Sequence, residues 1–438
     1  MRVAIIGSGI AGLAAAHHLR GSAQLTLFEA NHYFGGHTHT VDVTLPGRDG
    51  DVTHGVDTGF LVFNERTYPR LIALLAQLGV PSAPSEMSFS VQVAQGVGKA
   101  PLEWSGSSLA TVFAQRSNLL RPAFWGMLQD IVRFNALTSR IAVGQQEAAL
   151  QQPLGDFLLQ ERFGKAFCEW YFLPMMACIW SCPTRQMLQF PLATMIRFCH
   201  NHGLLQVSNR PQWHTVRGGA RQYVQRIVDG IKDKRLDSAV RRIERRDGGV
   251  LLSTDKGTEY FDRAIVAVHS DQALRLLHDP TTQERATLGA IQYHDNRAVL
   301  HTDSSVLPAR KAAWAAWNYE RAATGPGAQE EEGAQVCLHY LLNLLQPLPW
   351  SQPVVVSLNP LRPIEARHVL GEFHYAHPVF DLKAIDAQTR LAQLQGYAGT
   401  YYCGAWTAYG FHEDGLKSGE AAAIALLEQG RMQQRQAA

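Results

Sequence analysis

Three glycines at the start of the chain constrain it more than any other feature. In "MRVAIIGSGIAGLAAAHHLR", Gly7, Gly9 and Gly12 form G-x-G-x-x-G between an apolar run, Val3 to Ile6, and a helix-forming stretch, Ala11 to Leu19. The run suits a buried parallel strand, and each glycine after it has its own reason. Gly7 permits the tight turn, Gly9 lets backbone approach a pyrophosphate, and Gly12 lets the helix pack close to the strand. Amides at the helix start then face the phosphates. The next strand, "QLTLFEA", ends in Glu29, which is 29 − 7 = 22 residues beyond the first glycine; a carboxylate there suits ribose hydroxyls and disfavours the 2′-phosphate of NADP. Alone, the glycine spacing also fits an incidental turn. With strand, helix and acid in place it reads as a dinucleotide site at Gly7, Ser8, Gly9, Ile10, Ala11, Gly12, Glu29 and Ala30.

An apolar N-terminus also invites a signal-segment reading. The polar Ser8, the fixed glycine spacing and the lack of a convincing cleavage region argue against export. No later stretch reaches about 18 uninterrupted apolar residues, so no transmembrane helix is expected. Lys plus Arg number 40 and Asp plus Glu 38, which leaves no charge excess to attract nucleic acid and favours small-molecule chemistry. The six cysteines lack paired metal spacing, and a chain of 438 residues does not depend on disulfides, so a reducing cytoplasm is expected.

The choice between FAD and NAD falls to the distal segment "YYCGAWTAYGFHEDGLKSGEAAAIALLEQG". A strand, Tyr401 to Cys403, leads through a glycine-containing loop into a helix expected to start near Gly415, whose free amides offer donors to an electron-rich ligand edge. Together with the glycine pair Gly35–Gly36, this pattern resembles the flavin-containing amine oxidase, protoporphyrinogen oxidase and phytoene desaturase superfamily. The distal segment and "HPVFD" (377 to 381) resemble its bacterial subgroup of FAD-binding oxidoreductases often encoded beside cyclopropane fatty acid synthase-like genes. The resemblance covers most of the chain, including "WHTVRGGARQYV" (213 to 224), "RLDSAVRRIERR" (235 to 246) and "FDRAIVAVHSDQALRLL" (261 to 277).

The fold class this implies is α/β, a discontinuous Rossmann-like FAD-binding domain of the GR2 type with an α+β substrate-binding domain. The expected division is 1–65, 205–275 and 390–438 for FAD, and 66–204 and 276–389 for substrate. "RAIVAV" is expected to close the sheet, "TYPRLIALLAQLGV" to be helical, "FSVQVAQ", "QVCLHYLLNLLQPL" and "PVVVSLNP" to supply strands, and 108 to 165 to be helices broken near Pro122 and Pro153. The stretch "TGPGAQEEEGA" (324 to 334) reads as a solvated loop. Beyond the glycine motif, the resemblance implies flavin contacts at Gly36, His37, Thr38, Asp57, Thr58, Gly59, Phe60, Gly404, Phe411, His412, Gly415 and Leu416, and a backbone contact to adenine at Val240. FAD is expected to be noncovalent, since no flavin-linking cysteine is evident.

Three readings of local stretches stay open. "FGGHTHTV" (34 to 41) is a flavin-lining loop, a plain structural loop or, if extended, a pair of metal-ligating histidines, His37 and His39, on one side of a strand, with His54 and His412 as further ligands; no third ligand is clear from spacing, and no metal is expected. "RPAFWGMLQDIVRF" (121 to 134) and "FCEWYFLPMMACIWSCP" (167 to 183) are ordinary core or the wall of a cavity for a hydrophobic substrate. The first of these is also either a buried amphipathic helix or a peripheral membrane contact, with Arg121 and Arg133 near phosphates. Asp414 reads as a helix cap, and His412 as a packed histidine or a proton-transfer group.

One departure bears on the reaction. Amine oxidases of the superfamily carry a lysine near the flavin on a strand matching "IQYHDNRAVLHTD" (291 to 303), where this chain has no lysine and offers Asn296 and Arg297 instead. Asn296 and His412 are therefore the catalytic candidates. The expected activity is dehydrogenation, desaturation or isomerisation of a hydrophobic substrate such as an unsaturated or methylated fatty-acyl chain by hydride transfer to flavin N5, with an unidentified electron acceptor. The alternatives are oxidation of a small amine and a flavin-holding redox sensor or assembly protein without turnover.

Overall fold

The chain was analysed as a computed structural model that describes residues 1–94, 101–144, 152–204, 210–321 and 336–437. The expected acidic loop at 324–334 and the domain return at 205 lie outside the described residues.

Five parallel strands form the sheet that the glycine motif demands. Their spatial order is Asp233–Arg235, Gln24–Phe28, Arg2–Ile6, Arg263–Val266 and Thr400–Tyr402. Parallel strands are covered on both faces, and the first strand accordingly reads as an uninterrupted buried run, Val3 to Ile6. "RAIVAV" does not close this sheet: Arg263–Val266 pairs with Arg2–Ile6 on one side and Thr400–Tyr402 on the other, so the edge belongs to the C-terminal strand. The strand expected at Tyr401 to Cys403 takes that edge, a position that sequence order does not fix.

One face of the sheet is covered by helices Ile10–Leu19, Arg221–Asp229 and His412–Ala437, joined by Pro69–Gln77. The last of these was expected on the substrate side. Its Leu71, Leu74 and Leu75 instead share one core with Val3, Ile5 and Tyr223. Glu413, buried at the start of the C-terminal helix, explains the attachment: its carboxylate accepts hydrogen bonds from the backbone N–H groups of Arg70 and Leu71, at 3.0 Å each, and so satisfies the open end of that helix.

A second sheet of seven strands carries the apolar wall. It runs Val369–Val379, Gln292–His301, Val355–Leu358, Cys337–Leu341, Trp317–Arg321, Phe89–Val93 and Leu102–Ser105. Only the pairing of Trp317–Arg321 with Phe89–Val93 is parallel. "QVCLHYLLNLLQPL" splits, its strand ending at Leu341 and a short helix, Leu342–Leu345, following.

Helix Pro122–Gly144 buries Phe124, Met127, Phe134 and Ile141 against this half of the molecule, which is the amphipathic-helix reading. The 3-10 turn Arg116–Leu120 before it exposes Leu120, and its own first turn exposes Trp125. In "FCEWYFLPMMACIWSCP" the helical phase divides the residues. Phe172 and Met176 are core, whereas Tyr171, Met175 and Ile179, four apart, line a cavity. No helix among the described residues is long and apolar enough to cross a membrane.

Candidate active site

Ligands of open parallel sheets bind beyond the carboxyl ends of the strands. Here those ends are Gly7, Glu29, Ser238, Ala267 to His269 and Gly404, and all of them line one cavity of about 1100 Å³. The same cavity continues to Met87, Trp104, Tyr171, Met175, Trp180 and Tyr340. One end is therefore rich in glycine and backbone, and the other is aromatic.

At the first end, Gly7 has φ +100°, and a Cβ on it would meet the Ala267 carbonyl oxygen at 2.6 Å. Gly12 is tighter still, with 2.0 Å from that Cβ position to the Gly7 oxygen. Gly12 therefore packs helix against strand and does not line the cavity. Gly9 is the reverse case: a Cβ there would have nothing within 4 Å, and no side chain caps helix Ile10–Leu19, whose first residues line the cavity. Open space in front of uncapped helix amides is the cradle a pyrophosphate needs. Gly36, at φ +58°, closes the cradle from the other side, where a Cβ would come 3.2 Å from the Gly9 α-carbon.

Glu29 is 6% exposed and faces this space. Its Oε2 accepts from Ser8 N–H at 3.0 Å and the Ser8 hydroxyl at 2.5 Å, and its Oε1 accepts from Asn31 N–H at 2.9 Å. A carboxylate has about four lone-pair sites, which leaves room for a ribose hydroxyl. The Glu29 backbone also accepts from Ser238 N–H, which brings Val240 to the cavity. The residues present thus fit an adenine dinucleotide.

The open question of "FGGHTHTV" is settled by the backbone. Residues 34 to 37 bend and turn and 38 to 39 lie outside any strand, so strand alternation does not pair His37 with His39. His39 stacks on Tyr33 at 4.0 Å between centroids. His37 lines the cavity, its ring 5.1 Å from Tyr375, 5.4 Å from His377 and 6.0 Å from His269. His54 lies elsewhere, beside Trp350.

His412 stacks on Phe60 at 3.7 Å, and its Nε2 lies 2.7 Å from the Tyr223 hydroxyl, which in turn lies 2.6 Å from Thr38 Oγ1. This is a held ring, as the packed reading has it, and it also lines the cavity. Helix His412–Ala437 starts three residues before the expected Gly415, and Gly415 and Leu416 pack inward instead of lining the cavity. Asp414 is a cap: its Oδ2 accepts from Tyr409 and Phe411 N–H.

Four other candidates stand behind the lining. Thr38 supports Tyr223, as above. Asp57 accepts from Thr40, Gln346 and the Ala220 N–H at the start of helix Arg221–Asp229. Thr58 Oγ1 lies 2.7 Å from the Tyr375 hydroxyl. Asn296, the catalytic candidate, is buried and does not line the cavity; its Nδ2 is 3.0 Å from His377 Nδ1 and its Oδ1 accepts from Asn359. Asn296 is placed to orient His377. Gly59, Phe60, Gly404 and Phe411 do line the cavity. His269, Tyr375 and His377 were missed. Only His269 carried a signal, since it follows the strand "RAIV" at a carboxyl end.

Burial keeps these imidazoles neutral. His37 and His269 are lowered, His377 falls to about 4 and His412 to about 3, and His39 and His202 to about 4, in each case chiefly by burial. The unfolded chain therefore takes up protons first as pH drops below about 6.5, and stability is full above that value and lost toward about 4. Asp57 and Asp414, raised by burial to about 7 and about 6, act in the opposite sense, but the histidines outnumber them. The expected result is a urea midpoint that falls between about pH 6.5 and about 4.5. A midpoint rising over that window would contradict the neutral cluster.

A family model described as flavin containing amine oxidoreductase matches residues 10–315. Two Mycobacterium tuberculosis strains carry proteins named "Putative flavin-containing monoamine oxidase AofH", 27% identical over 293 residues; the match covers 64% of this chain and 59% of theirs. Among solved structures, cyclohexylamine oxidase from Brevibacterium oxydans IH-35A superposes with a TM-score of 0.66 at 16% identity, covering 98% of this chain and 99% of that one. The CLA-producing fatty acid isomerase from P. acnes gives 0.64 at 15% identity, over 97% and 98%. At these identities the structures share the fold.

Proposed function

Because the chain belongs to the flavin containing amine oxidoreductase family, whose cofactor is FAD, we propose that it is a noncovalent FAD oxidoreductase that dehydrogenates, desaturates or isomerises a hydrophobic substrate of the acyl-chain class. One observation carries this reading: a single cavity joins the glycine cradle to an aromatic wall. When bound, FAD supplies the electron sink for hydride removal, and the protein supplies binding, orientation and electrostatics. Under this proposal the five-stranded sheet, with helix Pro69–Gln77 added to the expected segments, forms the cofactor domain.

The chain's own groups have separable tasks. Gly9, Ile10 and Ala11 would hold the diphosphate and Glu29 the ribose, while Val240 meets the adenine end. Met87, Met175 and Ile179 offer adaptable apolar surface, and Trp104, Trp180 and Trp317 exclude water from the reacting end. Between the two ends His37, His377 and His412 stand neutral, able to accept or hand on a proton without placing fixed charge beside an apolar chain. No lysine is among the lining residues.

The curated relatives' name favours a second reading, oxidation of a small amine. Anaerobic mixing of the purified yellow protein separates the two. An unsaturated fatty acid is expected to change the flavin spectrum or emerge altered by mass spectrometry, and a primary amine to leave the flavin oxidised. Bleaching by the amine alone would replace the acyl-chain reading with the second, and inertness toward both would favour a protein that holds flavin without turnover.

A further inference from the structure

The face of the seven-stranded sheet turned away from the aromatic wall carries a cluster that the redox site does not use. Side chains alternate along a strand, so Tyr340 lines the cavity while Cys337 and His339 point to the other side. Register then does the rest. Glu320 pairs opposite Cys337 on the neighbouring strand, and Ser357 pairs opposite His339 on the other neighbour. Sequence spacing gave no hint, since Glu320 lies 17 residues before Cys337 and reaches it only through the sheet.

The geometry around His339 is convergent. Its Nε2 lies 2.9 Å from Glu320 Oε2 and 3.5 Å from Cys337 Sγ, and those two atoms are 4.0 Å apart. Without an ion, His339 Nε2–H donates to Glu320 Oε2 and the Cys337 thiol reaches the same oxygen only at the long 4.0 Å limit. The same nitrogen, sulfur and oxygen atoms gathered about one point are also a donor set that a transition-metal cation takes. A tetrahedral zinc ion with bonds of about 2.0–2.3 Å spaces its ligand atoms about 3.3–3.6 Å apart, and the observed triangle brackets that spacing.

The other ring nitrogen is held as a metal-bound histidine's should be. His339 Nδ1 lies 2.6 Å from Ser357 Oγ, which lies 2.6 Å from His301 Nε2. Asp303 N–H donates to His301 Nδ1, which puts the proton of neutral His301 on Nε2, facing Ser357. Ser357 Oγ then can donate to His339 Nδ1 in the ion-free site or accept from Nδ1–H, and the second arrangement is the tautomer that frees Nε2 to ligate. Cys337 and His339 are 2% and 0% exposed, so such an ion would be shielded from competing water.

We propose that Cys337, His339 and Glu320 form a zinc site that ties together the strands from which the chain leaves after Arg321 and to which it returns at Val336. Binding releases the Cys337 thiol proton and the proton that His339 Nε2 shares with Glu320 to solvent, and thiolate, neutral imidazole and carboxylate take three positions, with water for the fourth. The site is separate from the redox reading and stands or falls without it.

The test uses FAD-loaded protein stripped of metal by a chelator, then titrated with zinc chloride and, in parallel, with cobalt chloride as a coloured substitute. One equivalent of zinc is expected to bind, and the cobalt form is expected to show a thiolate charge-transfer band. Cys337→Ser should abolish that band and weaken zinc binding at least tenfold, and Ser357→Ala should weaken it by about 10–100-fold while leaving the band's shape unchanged. A wild-type cobalt spectrum without a thiolate band, or zinc binding unaltered in Cys337→Ser, overturns the proposal. The wild-type spectrum decides the matter even if a variant fails to fold.

Discussion

Replacing Gly419 by alanine is expected to separate the two ends of the chain and to lower both stability and flavin content. A Cβ at Gly419 would lie 2.0 Å from the Ala11 carbonyl oxygen, and one at Gly415, four residues earlier on the same face, 2.7 Å from Ile10 Cγ2. Overpacking against side chains costs about 1–3 kcal/mol. Here the obstacle is backbone, which cannot rotate aside, so the upper part of that range is expected. The helix that must yield is the one whose first residues, Ile10 and Ala11, face the cavity. Gly430→Ala is the matched control: it sits in the same C-terminal helix with nothing within 4 Å of its Cβ position, and alanine there should add about 0.5–1 kcal/mol. The urea midpoint and the ratio of flavin to protein absorbance read both variants. Equal behaviour of the two would show that the close helix contact does not hold the cofactor end.

Glu29→Gln should leave a protein that folds but takes up FAD poorly. Three donors converge on this carboxylate, the Ser8 N–H and hydroxyl on Oε2 and the Asn31 N–H on Oε1. An amide keeps one acceptor oxygen and turns an NH₂ group toward donors at the other position, so at least one buried donor loses its partner. Those bonds are present with or without FAD and bear on stability; the ribose hydroxyl's own bond to a charged acceptor contributes about 1.5–3 kcal/mol, and its loss corresponds to about 10–100-fold in affinity. Fluorescence titration of the apoprotein with FAD measures it, and the apoprotein's own unfolding midpoint separates weaker binding from loss of fold. Unchanged affinity would remove Glu29 from the ribose site.

The cradle was legible in the sequence because most of it is local. Gly7, Gly9 and Gly12 sit in a single strand–turn–helix unit and Glu29 ends the strand beside it, while the contact of Gly7 with the Ala267 carbonyl oxygen is the part that sequence spacing did not show. The terminal "GFHEDGLKSG" was legible by resemblance, but its helix was placed three residues late, because Asp414 caps from inside the first turn. The segment 55 to 60 divides in the structure. Asp57 and Thr58 turn into hydrogen bonds behind the wall, and Gly59 and Phe60 face the cavity. A resemblance gives the neighbourhood of a residue, whereas the direction of its side chain depends on partners as distant as Ala220 and Tyr375.

Sequence by itself determined the βαβ start, the dinucleotide chemistry and the strands and helices with strong periodicity, since these follow from backbone sterics and contacts a few residues apart. Only the tertiary structure decided which face of "FCEWYFLPMMACIWSCP" is wall and which is core, that Asn296 stands behind His377, and that Glu320 meets His339. The first is set by how that helix packs, and the other two by sheet register between segments tens of residues apart, where a one-residue slip would reverse each of them.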